Sequence, residues 1–357
     1  MMQPRENILR AVKRQNPDHV PYEFGLTPTM VGKFRKWAGI GENEPADLLK
    51  FFDFEARGVG PDAAPGERPD YTKYYADPEI AKHADGHGVA RVPGTYYHFT
   101  HTISPLAKVM DPKVAEDYPI VERRHPVCWA KFKERVDNIH KAGYAANYFC
   151  GHIFETGWQI RGMEQMLEEF VTGGDVSRIL LQRIADDNAY AAEQAVKGGL
   201  DILSCGDDVG TQHGMMMSPK AWREWLKPLL AKEIAAGRKV NPDIPVWYHS
   251  DGNIEEIIPD LIEVGVTILN PVQPECMNPA ALKKKYGDEL SFWGCVGTQS
   301  VMPWGKPKDV REAVKKTIQT VGEGGGLVIA PTHVLEPEVP WENVLAMVEA
   351  VKEFGKY

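Results

Sequence analysis

The chain has 357 residues, 43% of them hydrophobic and 25% charged, a balance that can bury a substantial core without disulfide or metal staples. Its formal net charge of −9 opposes nucleic acid and anionic membrane as main partners, and no apolar run approaches the length of a membrane span. The five cysteines (Cys128, Cys150, Cys205, Cys276, Cys295) are odd in number, widely spaced and free of a Cys-x-x-Cys pair, and no apolar leader follows the first methionine, so a reduced, cytoplasmic protein is expected.

In chain order, Ile8, Leu9 and Val12 recur at helical spacing and predict a helix over 5–14, ended by Pro17. Val20 to Phe24 reads as a first strand. Residues 27–57 suggest two further helices, one with Phe34 and Trp37, the next with Leu48, Leu49 and Phe52. The stretch 61–77 has no period and is read as a long loop. Residues 88–102 alternate enough for an antiparallel hairpin beside the main body.

From about residue 127 the rhythm is regular. Helix 127–142 leads into strand 145–149, helices 163–172 and 175–198 into 201–204, and helix 218–237 into 244–248. Helix 253–264 leads into 266–269, 278–285 into 290–293, 308–322 into 327–330, and helix 340–353 closes the chain. Strands alternating with helices predict parallel βαβ units. With Val20–Phe24 and a poorly marked strand between 54 and 100, the count reaches eight. The fold expected is α/β: one distorted (β/α)8 TIM barrel over 1–357, regular over 126–357, with an irregular N-terminal extension over 1–125 lidding the mouth.

In such a barrel the chemistry sits where strands end. Three strand ends carry acids and imidazoles. After DILSC comes Gly206-Asp207-Asp208; after IPVWY, His249-Ser250-Asp251-Gly252; after LVIA, Pro331-Thr332-His333. His249 and Asp251, two apart on an extended segment, project to the same side. With His333 they make a two-histidine, one-carboxylate set that leaves zinc an open position. The alternative is that Asp251 caps the next helix and His249 is a hydrogen-bonded core residue. Asp207 and Asp208 can hold a cation, accept from a substrate donor or share a proton; the alternative is a solvated Asx-turn.

Glu155, Gln273 and Gln299 follow other strands and are candidate substrate contacts. Met216, within Met215-Met216-Met217, Tyr248 and Trp293 are candidates for an apolar wall. Asp85-Gly86-His87-Gly88-Val89-Ala90 nearly spells the Asp-x-His-x-x-Gly signature that presents histidine to a corrinoid, but Ala90 stands where the last glycine belongs.

Several of these segments, in order, resemble the uroporphyrinogen decarboxylase superfamily over roughly 140–357. They are Gly206-Asp207-Asp208 through Ser218-Pro219 to Leu226-Lys227-Pro228, then His249-Ser250-Asp251-Gly252, Lys285-Tyr286-Gly287-Asp288, Trp293-Gly294, Pro331-Thr332-His333 and Val339-Pro340-Trp341. Arg5-Glu6-Asn7-Ile8 and Pro17-Asp18-His19-Val20-Pro21 are similar to the family's opening. The true decarboxylases carry an arginine-rich element after the first strand; here Tyr22 to Pro28 contains none. The other branch, corrinoid-dependent methyltransferases, holds zinc through His-x-Cys and a later Cys, positions that fall here on His249, Asp251 and His333. The resemblance thus implies a zinc-dependent methyltransferase whose harder ligands suit polarising an ether, such as a methoxylated aromatic. Asp207, Asp208 and His333 would be the catalytic groups, and a separate protein, docking on the barrel mouth, would carry the corrinoid. The expected partners are that corrinoid protein and a small methyl donor, with a homodimer as an admissible assembly. The alternatives are a metal-free decarboxylase or lyase working through Asp207 and His333, and a non-catalytic binding protein on the same barrel.

Overall fold

The computed structural model describes residues 2–41, 44–66, 68–93 and 100–357. Its strands are β1 (Ala56–Gly58), β2 (Ala90–Pro93), β3 (Thr100–Ile103), β4 (Ala145–Phe149), β5 (Ile202–Gly206), β6 (Val246–His249), β7 (Ile268–Asn270), β8 (Ser291–Val296) and β9 (Leu327–Pro331). Seven of them form one all-parallel sheet in the order β1-β4-β5-β6-β7-β8-β9, with helices between successive strands. Residues 20–24 extend the sheet beyond β9: Tyr22 bridges Ile329 in parallel, Glu23 N donates to Ile329 O (3.0 Å) and Ile329 N to Pro21 O (2.9 Å). Pro21 has no N–H to give, so this eighth member is tied by few bonds. The architecture is the distorted barrel that the alternation predicts.

The seam between residues 20–24 and β1 is closed by side chains. Asn7 donates to His19 O (3.0 Å) and to the Glu55 carboxylate (3.0 Å) and accepts from Asp18 N (2.8 Å). His19 Nε2 lies 2.8 Å from Glu55 Oε1, and the Tyr22 hydroxyl donates to Phe52 O at 2.8 Å.

Because the strands are covered on both faces, alternate residues enter two different cores. The inner one, in the barrel lumen, consists of Ala56, Ala145, Ile202, Ile268, Trp293, Val328 and Ala330, plugged from below by Ile8 and Val12 of helix Pro4–Val12. The outer one joins sheet to helices through residues such as Leu203, Val246, Tyr248, Leu269, Phe292 and Ile329. Each fully buried aliphatic or aromatic side chain contributes roughly 1.5–3 kcal/mol over leaving it in water.

The structure departs from the predicted elements mainly at prolines. The expected helix 218–237 is two, Pro219–Trp225 and Lys227–Arg238, because Pro228 lacks the N–H that would continue the first. The expected 253–264 likewise becomes a 3₁₀ turn, Glu255–Ile257, followed by Ile258–Val264 with Pro259 in its first turn, whereas 127–142 divides into Pro126–Trp129 and Phe132–Lys141 with no proline at the break. Four short helices, Pro78–Ala81, Pro112–Glu116, Phe154–Arg161 and Val301–Trp304, were not predicted, and the expected loop 61–77 holds a 3₁₀ turn, Thr72–Tyr74. The poorly marked strand is β1, of three residues. β2 and β3 pair antiparallel, Ala90 opposite Ile103, as the hairpin expectation requires; its tip, 94–99, lies outside the described residues. No helix among the described residues is long and apolar enough to cross a membrane.

Candidate metal centre

Parallel register brings three strand ends side by side at the C-terminal rim: Gly206 pairs with His249, and His249 with Asn270. His249 Nδ1 lies 2.6 Å from Asn270 Oδ1, and Asn270 Nδ2 donates to Trp293 O at 2.7 Å. With the amide nitrogen so committed, Asn270 presents its oxygen, which makes Nδ1 of His249 the protonated nitrogen. Nε2 therefore offers its lone pair to the mouth. This arrangement, one ring nitrogen oriented by a neighbour and the other free, is how proteins prepare a metal-ligating imidazole.

Two carboxylates face that lone pair. Asp208 Oδ1 is 3.4 Å from His249 Nε2 and accepts from Asp251 N at 2.7 Å. Asp208, His249 and Asp251 each offer a ligand atom, all within 4.8 Å of one another. Asp251 Oδ1 is buried without a hydrogen-bond partner, a costly state for a carboxylate oxygen unless something positive completes it. Burial pushes the Asp251 carboxyl above its ordinary range; His249 opposes this, Asp208 adds to it, and His333 stands near enough to pull it down. Two hard oxygens and one imidazole nitrogen, with an orphaned oxygen among them, fit a divalent cation.

The loops that hold these groups touch backbone to backbone. Gly252 has φ +79°, and a Cβ there would sit 2.6 Å from the carbonyl carbon of Gly210, so only glycine fits. Asn253 N donates to Thr211 O (2.7 Å), Val209 N to Ser250 Oγ (3.1 Å) and Gly252 N to Gln273 Oε1 (2.6 Å).

Asp207 and Asp208, adjacent in the chain, go different ways. The buried Asp207 turns toward helix Phe154–Arg161, where its oxygens accept from Ile153 N (3.1 Å) and Glu155 N (2.9 Å). Burial pushes its carboxyl up to about 7, although His152 and the backbone donors pull the other way. His152 Nδ1 lies 2.8 Å from Gly206 O and 3.3 Å from Glu155 Oε2. The Glu155 carboxyl is raised, first by burial, with His152 lowering it and Asp208 raising it, so Glu155 stands in the field of the cluster.

The remaining sequence-derived candidates are dispersed. His333 is exposed and outside the three-residue cluster, whose third member is Asp208. Tyr248 is only 2% exposed and packs in the outer core; strand alternation puts its neighbour Trp247 in the lumen, flat against the His249 ring (5.7 Å, 12°). Trp293 lines the lumen and Gln273 is buried, holding Gly252. Met216 and Gln299 are exposed. Sequence reasoning missed Asn270, His152 and Trp247. The parity of His249 on its strand was signal enough for Trp247; nothing local marked the other two. A cavity of about 630 Å³, lined by Gln3, Arg5, Leu9 and His140, opens at the opposite, N-terminal end of the strands, where barrels carry stability rather than chemistry.

The family model described as uroporphyrinogen decarboxylase (URO-D) matches residues 147–354. A methylcobamide:CoM methyltransferase, MtaA, of Methanosarcina barkeri is 28% identical over 166 residues, 46% of this chain and 45% of its own length. A uroporphyrinogen decarboxylase of Hydrogenobaculum is 24% identical over 180 residues, 50% and 49% of the two chains. The chain thus spans about half the length of the curated relatives it matches. A solved methyltransferase from Methanosarcina mazei shares the fold across 99% of both chains, with a TM-score of 0.69 at 18% identity. With the match extending from β4 to the last helix, the chain belongs to the uroporphyrinogen decarboxylase (URO-D) family.

Proposed function

We propose that this protein is a metal-dependent methyltransferase that takes the methyl group of a methoxylated aromatic and passes it to a corrinoid carried by a separate protein. The observation that carries this reading is the Asp208–His249–Asp251 cluster with its orphaned Asp251 oxygen. The similarity to MtaA, a methylcobamide-dependent methyltransferase by name, supports the reaction class. His249 and Asp251 would hold zinc, as the family resemblance implies, with Asp208 in the third place. His333 stands at the exposed rim, outside that set.

When bound, zinc supplies Lewis acidity, drawing electron density from an ether oxygen. The chain's own groups do the rest. Trp247 and Phe149, edge to face at 6.3 Å, present apolar surface to a flat ring beside the cluster. Asn270 fixes the His249 ring, and Gln273 fixes the Gly252 turn. Overall the methyl C–O bond would break, the methyl group passing to the reduced corrinoid of the partner protein, and the oxygen would keep the electron pair and take a proton. Glu155, beside His152 at 3.3 Å and with its carboxyl raised by burial, would hold that proton.

The purified protein should contain stoichiometric zinc and methylate cob(I)alamin from 4-methoxyphenol. His249→Ala and Asp208→Ala should lose both properties, while His333→Ala keeps the metal. Absence of zinc together with unchanged transfer by His249→Ala would overturn the proposal. The similarity to decarboxylases favours one other reading, a metal-free lyase in which Asp207, raised to about 7, handles the proton. Full activity after chelation would select it.

A further inference from the structure

The lumen carries a second carboxylate, away from the metal cluster. Tyr22 and Phe24 pack against Phe54 on the outer side of the sheet, with ring centroids at 5.7 and 5.0 Å. Alternation therefore turns Glu23, between them, into the lumen. There its Oε1 accepts from Trp293 Nε1 at 2.8 Å. Trp293 meets Trp247 edge-on (6.5 Å, 84°), and Trp247 stacks on His249. One aromatic wall thus runs from Glu23 to the cluster, flanked by Phe149, itself 36% exposed.

Glu23 is incompletely satisfied. Among the described residues the hydrogen bond from Trp293 falls on Oε1 alone, and no cation pairs with the carboxyl. Burial raises its carboxyl, yet the side chain is not sealed from solvent. Because solvent still reaches this deep group, a ligand entering from the mouth can meet it as well. Removing that solvent with an apolar ligand would strand a carboxylate oxygen, whereas a ligand that brings its own donor would not.

We infer that Glu23 determines which methyl donor is accepted: its Oε2 receives a hydrogen bond from a ring hydroxyl placed across the ring from the methoxy oxygen that meets the Asp208–His249–Asp251 cluster. The ligand class is then a methoxyphenol rather than a fully methylated ring. This inference rests on the methoxyarene reading above and goes beyond it in naming the second recognition point.

The test is equilibrium binding of 4-methoxyphenol and 1,4-dimethoxybenzene to the zinc-loaded protein, by calorimetry. Measured well above pH 7, where the raised Glu23 carboxyl is ionised, the wild type should prefer the phenol by about tenfold or more, the usual scale for one hydrogen bond to a charged, partly buried acceptor. Glu23→Gln keeps an oxygen for Trp293 and turns an amide N–H toward the ligand. It should lose the phenol preference and bind the dimethyl ether at least as well as wild type, with zinc content and circular dichroism unchanged. Equal wild-type affinity for the two rings, or a Glu23→Gln protein that keeps the phenol preference, overturns the assignment to Glu23 while leaving the methoxyarene reading standing. Zinc-loaded wild type that binds neither ring overturns both.

Discussion

Glu233 shows at the level of one residue what a buried carboxyl costs this fold. It is 1% exposed; Asn188 Nδ2 donates to Oε2 at 3.2 Å, and Oε1 has no partner. Burial pushes its carboxyl up to about 8, far above the roughly 4.3 of an unfolded chain. Between those values the native state keeps a proton that the unfolded state has released, so stability falls as pH rises from about 4.5 to 8. Glu233→Gln should remove that dependence, and by thermal melts at pH 8 it should be more stable than wild type by about 1 kcal/mol or more; identical pH profiles would show that Glu233 is not the group responsible. Asn270 is a residue of the opposite kind, fully used. Asn270→Ala leaves the His249 ring without its orienting acceptor, and zinc affinity measured by chelator competition should drop about 10–100-fold.

At the scale of the element, helix Phe154–Arg161 depends on a residue some fifty positions away. Its own preceding residue, Ile153, has no capping side chain, and Asp207 from the end of β5 serves the first-turn amides instead. Asp207→Ala should cost about 1–3 kcal/mol in chemical denaturation, since it orphans two backbone donors, one of them buried. Asp207→Asn, retaining one acceptor, should cost less. Both variants should keep their metal, because Asp207 lies outside the cluster. A helix capped from another strand has no capping signature in its own sequence, which is why this one was not predicted. The same principle explains the divided helices: apolar spacing continues across Pro228 and Pro259, but the backbone bonds do not.

For the whole molecule, closure of the barrel is a matter of side chains as much as of strands. Asn7, fully buried, ties Asp18 and His19 to Glu55 across the seam where backbone pairing is missing. Asn7→Ala should lower unfolding free energy by about 2–3 kcal/mol through unsatisfied buried groups, measured by urea titration with unchanged m-value. A loss no larger than that of an exposed alanine substitution would mean that the seam is held by packing alone.

The regular strands from Ala145 onward were legible because parallel strands covered on both faces are nearly continuous apolar runs, set off from helices of another period. Their order, and hence the shared rim for residues 206–208, 249–251 and 331–333, followed from alternation with helices. Face was less legible: Tyr248 and Trp247 are equally plausible as a wall until register with β5 and β7 decides which points inward. The cluster at the rim was only partly visible. His249 and Asp251 share a strand end, a local relation that sequence displays. Asp208 reaches them through the contact between Gly210 and Gly252, and Asn270 through pairing of neighbouring strands, so both depend on backbones distant in the chain meeting at fixed register. Periodicity is a property of each segment and survives in the linear chain; which side chains meet across segments is set only when the sheet curls and the loops at its rim touch.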